Sequence, residues 1–211
     1  MIQPPEEMAI DTRPWCRAHR GRDYSFDEFL KLIESFHGYP APGVLIGAKM
    51  ADIAMRRMPA GVLFDAVCET SKCLPDAVQL LTPCTSGNGW LRVVPLGRFA
   101  LTLFDKRSGH GIRVYVNPAW LEPYFETRYW FFGTKPKRKD KSDLLLQEIR
   151  QAQDRLYGVQ EVRVKPEFLS KTPSGPRAIC PECGEAYPGG HGLICRGCRF
   201  ETGYLLSEEI K

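Results

Sequence analysis

The chain has 211 residues, 43% of them hydrophobic and 26% charged, which suits a globular protein of one or two domains with a sizeable core. A net charge of +4 is too small a surplus to imply a nucleic-acid partner by itself. No apolar run approaches the ~18 residues of a membrane span, and Met1–Ile10, with two glutamates and no apolar centre, does not read as a secretory signal, so a cytoplasmic protein is expected.

Residues 1–24 show no periodicity and read as a partly ordered arm, with Cys16 and His19 three apart as a weak ligand pair. Ser25-Phe26-Asp27-Glu28 is a capping box that opens a helix with Phe26, Phe29, Leu30 and Ile33 on its core face. That helix stops at Phe36-His37-Gly38-Tyr39-Pro40-Ala41-Pro42-Gly43, where two glycines and three aromatic or imidazole rings lie among prolines and no regular element can persist. A second helix runs from Pro42 to about Met58. Gly43, Gly47, Ala51 and Ala54 leave one of its sides almost bare, so another element must pack very closely there. Met50, Met55 and Met58 on its other side read as core filler. The first-turn N–H groups of this helix lie next to His37 and can face an anion or a polarised ligand.

Val62–Cys68 reads as a buried strand and Pro75–Leu81 as a short helix with Asp76 in its first turn. Next comes Thr82-Pro83-Cys84-Thr85-Ser86-Gly87-Asn88-Gly89. Its Gly-Asn-Gly tip demands positive φ, and Thr85, Ser86, Gly87, Asn88 and Gly89 form either a concave nest of N–H groups for an anion or a plain surface hairpin. Leu91–Val94, Phe99–Phe104 and Ile112–Val116 read as strands of an antiparallel meander, and Val159–Val164 as one more strand. Asn117-Pro118 opens a helix through Glu126, extended by the aromatic cluster Tyr124, Phe125, Tyr129, Trp130, Phe131 and Phe132, which suits a core or a dimer interface. Gly133–Lys141 is a basic linker, Ser142 caps a helix through Tyr157, and 171–176 is a second linker taken as the domain boundary. No Walker A, dinucleotide, nucleophile-elbow or HExxH pattern occurs, which removes the commonest nucleotide and hydrolase readings.

Eight cysteines would suit four disulfides, but Cys180-Pro181-Glu182-Cys183 and Cys195-Arg196-Gly197-Cys198 are two thiolate knuckles eleven residues apart. Cys180, Cys183, Cys195 and Cys198 together complete a closed tetrahedral shell, which makes zinc here structural. The expected fold is α+β: an antiparallel sheet packed with helices over 25–170, preceded by the arm, followed by the linker and then by a four-cysteine zinc-ribbon or treble-clef-like module over 177–211.

Taken together, Phe36-His37-Gly38, Pro42-Gly43 with Gly47, Cys73 ahead of Asp76-Ala77-Val78-Gln79, Thr82 through Gly89 and the terminal cysteines resemble the E-subunit-like proteins of formylmethanofuran dehydrogenase, the FmdE family. The resemblance covers about residues 25–204 and implies an α+β core, a zinc module, a homodimer and a further metal or ligand site near the histidine loop. It also implies association with a molybdenum or tungsten one-carbon enzyme of the kind found in methanogenesis. Tyr39 and Ala41 stand where the fuller family loop carries His and Cys, which leaves His37, Cys73 and Cys84 for a second metal or a small ligand. Two other readings compete with this accessory role. One is an enzyme with an open metal at His37 and Cys84 and Asp76 or Glu69 as acid or base. The other is a zinc-finger nucleic-acid-binding or regulatory protein using Arg196, Arg199 and the Lys135–Lys141 run.

Overall fold

In the computed structural model, which describes residues 14–134, 142–169 and 175–203, contacts divide the chain into two units, Met1–Leu169 and Ser170–Lys211. The first unit is built around helix α2 (Pro42–Arg57), in which every residue from Gly43 to Ala54 is buried. A helix buried on all sides is covered by several elements at once. Its bare side receives helix α3 (Leu74–Leu81): a Cβ at Gly47 would sit 2.8 Å from the Ala77 Cβ and 3.0 Å from the Leu74 Cδ1. The expected close neighbour is therefore α3.

Helix α1 (Phe26–His37) begins with the full capping box, Glu28 N–H donating to Ser25 Oγ while Glu28 accepts from the Ser25 N–H, and ends on Gly38 at φ 90°. The described part of the arm departs from expectation. Strands β1 (Cys16–Arg17) and β2 (Asp23–Tyr24) pair as a small hairpin, and Trp15 and Cys16 are core residues at 2% and 1% exposure. Trp15 meets Phe26 edge-on at 5.0 Å, and the buried Lys49 ammonium donates to the Trp15 carbonyl. Strands of two residues are too short for periodicity to reveal.

Strands β3 (Phe64–Cys68), β4 (Leu91–Val93), β5 (Ala100–Asp105), β6 (His110–Val116) and β7 (Tyr157–Arg163) form one sheet in the order β4-β3-β5-β6-β7. Three of its four pairings are antiparallel, but β3 and β4 are parallel, Ala66 facing Leu91. The cause is α3, which carries the chain back along the sheet so that β4 runs in the direction of β3, as a crossover does. Ala66, Cys68, Leu101, Leu103 and Val114 form the buried face towards α2.

Pro123 lies between the 3-10 turn Pro118–Leu121 and helix α4 (Phe125–Phe132), so the helix expected from Asn117 is broken in two. Helix α5 (Ser142–Ala152) stops where Gln153 takes φ 49°, and β7 then starts two residues before Val159. Helix α6 (Pro166–Leu169) ends the unit. In the second unit, β8 (Arg177–Ile179) and β9 (Ala186–Pro188) form a hairpin, followed by a single π turn at Gly197–Glu201. Residues 1–13, the Lys135–Lys141 run, most of the second linker and 204–211 lie outside the described residues. Among the described residues no helix is long and apolar enough to cross a membrane.

Candidate functional site

The four cysteines of the second unit meet at one point. Hairpin β8-β9 presents Cys180 and Cys183, and the turn into Gly197–Glu201 presents Cys195 and Cys198. All four sulfurs lie within 4.8 Å of one another, with Cys180–Cys198 and Cys183–Cys195 both at 3.8 Å. Zinc–thiolate bonds of ~2.3 Å place the sulfurs of a tetrahedron ~3.8 Å apart, the separation of two of these pairs, so the cluster is of a size that zinc fits. Backbone N–H groups turn inward: Cys195 N donates to Cys180 Sγ at 3.5 Å and Cys198 N to Cys195 Sγ at 3.3 Å. The Cys195 N–H, with that of Cys183, pulls the Cys180 thiol down to about 6, whereas the sulfurs of Cys195 and Cys183 push the Cys198 thiol up. Four thiolates so close repel each other, and a dication is what lets all four ionise together. The chain thus has a structural zinc site that leaves no coordination position open.

The core candidates separate into two places. His37, the last residue of α1, sets Nδ1 2.5 Å from Asp76 Oδ2 in the first turn of α3. With the carboxylate as acceptor, the Nδ1 proton is held and Nε2 is left for a ligand. Both side chains are partly exposed, and the Tyr39 ring lies 5.0 Å from the imidazole. Cys73 caps the same turn of α3 at φ 56°, ψ −46°, where Leu74 N donates to Lys72 O at 2.5 Å. This is a γ-turn with positive φ, a strained conformation for a residue with a Cβ. Gly43, in the first turn of α2, has no Cβ because one would stand 2.9 Å from the Cys73 sulfur. His37, Asp76 and Cys73 therefore mark a corner where the N-terminal ends of α2 and α3 meet.

Cys84 is elsewhere. It follows the C-terminal end of α3, eight residues and ~12 Å of helix rise from the Cys73 end, fully buried with its sulfur on the Phe64 carbonyl at 3.5 Å. Among the described residues the zinc cysteines are the one group of three or more His, Cys, Asp or Glu whose ligand atoms converge, so His37, Cys73 and Cys84 do not form a three-ligand set. In the Thr85–Gly89 loop, Thr85 N and Trp90 N donate to Asn88 Oδ1, Asn88 N donates to Thr85 Oγ1 and Gly89 N to Ser86 O; an anion would have to displace these bonds. Ser86 N donates to Gln79 at 3.3 Å and Gly87 is exposed. Glu69 is spent structurally: Arg113 grips it at 2.7 and 2.9 Å and Arg98 at 2.6 Å, holding its carboxyl below the usual range. Cys16 is buried with its thiol pushed up by that burial, while His19 is exposed, so the two do not make a ligand pair. Arg196 and Arg199 both face Glu201, at 3.4 and 3.2 Å. Sequence reasoning did not single out Lys49 and Asp52. The available signal was two charges within an otherwise apolar run of α2, which burial makes costly unless they are paired.

An α+β core joined to a closed four-thiolate knuckle pair defines a zinc-binding protein of two units. The family model described as "FmdE, Molybdenum formylmethanofuran dehydrogenase operon" matches residues 36–164, more than half the chain, and that described as "FmdE treble clef zinc finger" matches 171–205. The chain belongs to the FmdE family. It is 48% identical to a tungsten formylmethanofuran dehydrogenase FmdE-like protein from Syntrophus aciditrophicus of known structure, with a TM-score of 0.80 and coverage of 86% of this chain and 96% of that one. It is also 30% identical over 172 residues, 72% of its length, to a probable S-adenosyl-L-methionine-binding protein of Archaeoglobus fulgidus; the chain spans about half, 46%, of that relative.

Proposed function

We infer that this chain is a dimeric, cytoplasmic FmdE-type accessory protein whose zinc is structural and whose core binds a small anionic or carbonyl-bearing ligand for a molybdenum or tungsten one-carbon enzyme. The observation that carries the reading is the His37 Nδ1–Asp76 contact of 2.5 Å, which fixes the imidazole with Nε2 available beside the positive ends of α2 and α3. A metal at this corner would draw His37 Nε2 and Cys73 Sγ from the chain, one ligand short of the three that open zinc sites use, so an organic ligand suits it better. The exposed aromatic side chains Trp120, Phe125 and Phe132, at 47%, 60% and 50%, support the dimer. The printed descriptions of the family and of the Syntrophus neighbour support the link to one-carbon enzymes, and the name of the Archaeoglobus relative adds S-adenosyl-L-methionine to the ligands worth testing.

The test is a nuclear magnetic resonance titration with formate and acetate. Saturable shifts at the Gly38 and Asp76 amides are expected, lost in His37→Ala and weakened about tenfold in Asp76→Asn, since a fixed imidazole is worth about one charge-assisted hydrogen bond. Equal affinity in wild type and His37→Ala would reject the site.

A further inference from the structure

A cleft lies away from the His37 corner. Between the β1-β2 hairpin, the C-terminal turns of α2 and the segment leading to β3 is a cleft of about 440 Å3, within the range of small-molecule sites. Met55, Met58, Leu63 and Phe64 supply its apolar lining, and Leu63 stands 62% exposed. Arg17, His19, Asp52 and Arg56 supply its polar groups, with the His19 ring edge-on to Phe64 at 5.4 Å.

Their bonding leaves complementary groups over. Asp52 is 7% exposed; Oδ1 accepts the Arg17 backbone N–H at 3.2 Å and Oδ2 faces Arg56 Nε at 3.2 Å, so each oxygen retains one lone pair. Arg17 spends Nε and Nη2 on Asp23, and Arg56 spends Nε and Nη2 on Asp52 and Asp154, which among the described residues leaves the Nη1 group of each. Burial holds the Asp52 carboxyl above the usual carboxylate range despite Arg56 and Lys49, the mark of a desolvated acid that a further cation would relieve. An acceptor deep in the cleft and two donors at its rim are the pattern of a zwitterion.

We propose that this cleft binds an amino-acid-type zwitterion carrying a bulky apolar substituent, with its ammonium at Asp52, its carboxylate on the outer guanidinium edges of Arg17 and Arg56, and its apolar body against Met55, Met58, Leu63 and Phe64. A plain apolar ligand would leave the Asp52 lone pairs and both guanidinium edges unmatched. A simple cation would forgo the arginines, and a simple anion would be repelled by Asp52.

Three indoles that differ only in their head group test this on the full-length zinc-loaded protein: L-tryptophan, tryptamine and indole-3-propionate, followed through the methyl resonances of Met55, Met58 and Leu63. Saturable shifts are expected, with L-tryptophan at least tenfold tighter than either analogue. Asp52→Asn should abolish the advantage over indole-3-propionate, and Arg56→Gln, on an exposed side chain, the advantage over tryptamine. Leu63→Glu, also at the surface, should weaken L-tryptophan at least tenfold without unfolding the chain, and it keeps the proposal falsifiable where Asp52→Asn does not fold. His37→Ala should change none of this, which separates the cleft from the His37 site. Absence of saturable shifts at millimolar L-tryptophan, or equal affinity for all three indoles, overturns the proposal.

Discussion

Gly47 is where two opposing effects can be weighed at a single residue. Alanine there would gain about 1 kcal/mol of helix propensity over glycine. Its Cβ would, however, lie 2.8 Å from the Ala77 Cβ, a side chain too short to move aside, and overpacking of this kind costs about 1–3 kcal/mol. Gly47→Ala is therefore expected to lose up to about 2 kcal/mol, the overpacking outweighing the propensity gain, seen as a lower urea midpoint at unchanged slope. Glu69 gives a pH signature. Its carboxyl is held down first by the Arg113 hydrogen bonds, so its contribution is present above the unfolded value of ~4.3 and fades as pH falls through the lower folded value. Arg113→Met should cost about 2–4 kcal/mol at pH 7, because it strips a partner from a buried carboxylate. The gap to wild type should narrow in denaturation curves below about pH 4. At this scale the zinc cysteines were legible because ligand spacing is local. The His37–Asp76 contact, 39 residues apart, and the parting of Cys73 from Cys84 were not, since sequence does not say which end of α3 faces which loop.

Among the elements, α2 could be read from its small residues and α1 from its capping box, because each signal depends only on neighbours three or four positions away. The parallel β3-β4 pair could not: its three residues carry no mark of direction, which only the path of α3 supplies. The hairpin that buries Trp15 was hidden for a related reason, as its partners are Phe26, Lys49 and Asp52, scattered along the chain. The β8-β9 knuckle has little apolar core of its own, Tyr187 being its buried ring, so it is expected to depend on its metal to fold. Chelation is expected to release amide protection over 177–201 while leaving that of α2 and β5 in place, as hydrogen exchange would report. Loss of protection across the whole chain would contradict a zinc that stabilises its own unit alone.

For the whole molecule, two units each have their own contacts: in one, four thiolates converge as zinc requires, and in the other, among the described residues, no three His, Cys, Asp or Glu ligand atoms converge. The direct measurement is metal content per chain by elemental mass spectrometry on protein purified without added metal, beside Cys180→Ser/Cys198→Ser and His37→Ala. One zinc per chain in wild type and in His37→Ala, and none in the double-serine variant, is the result this account predicts. A second equivalent that survives in the double-serine variant and disappears in His37→Ala would contradict it and make the core a metal centre.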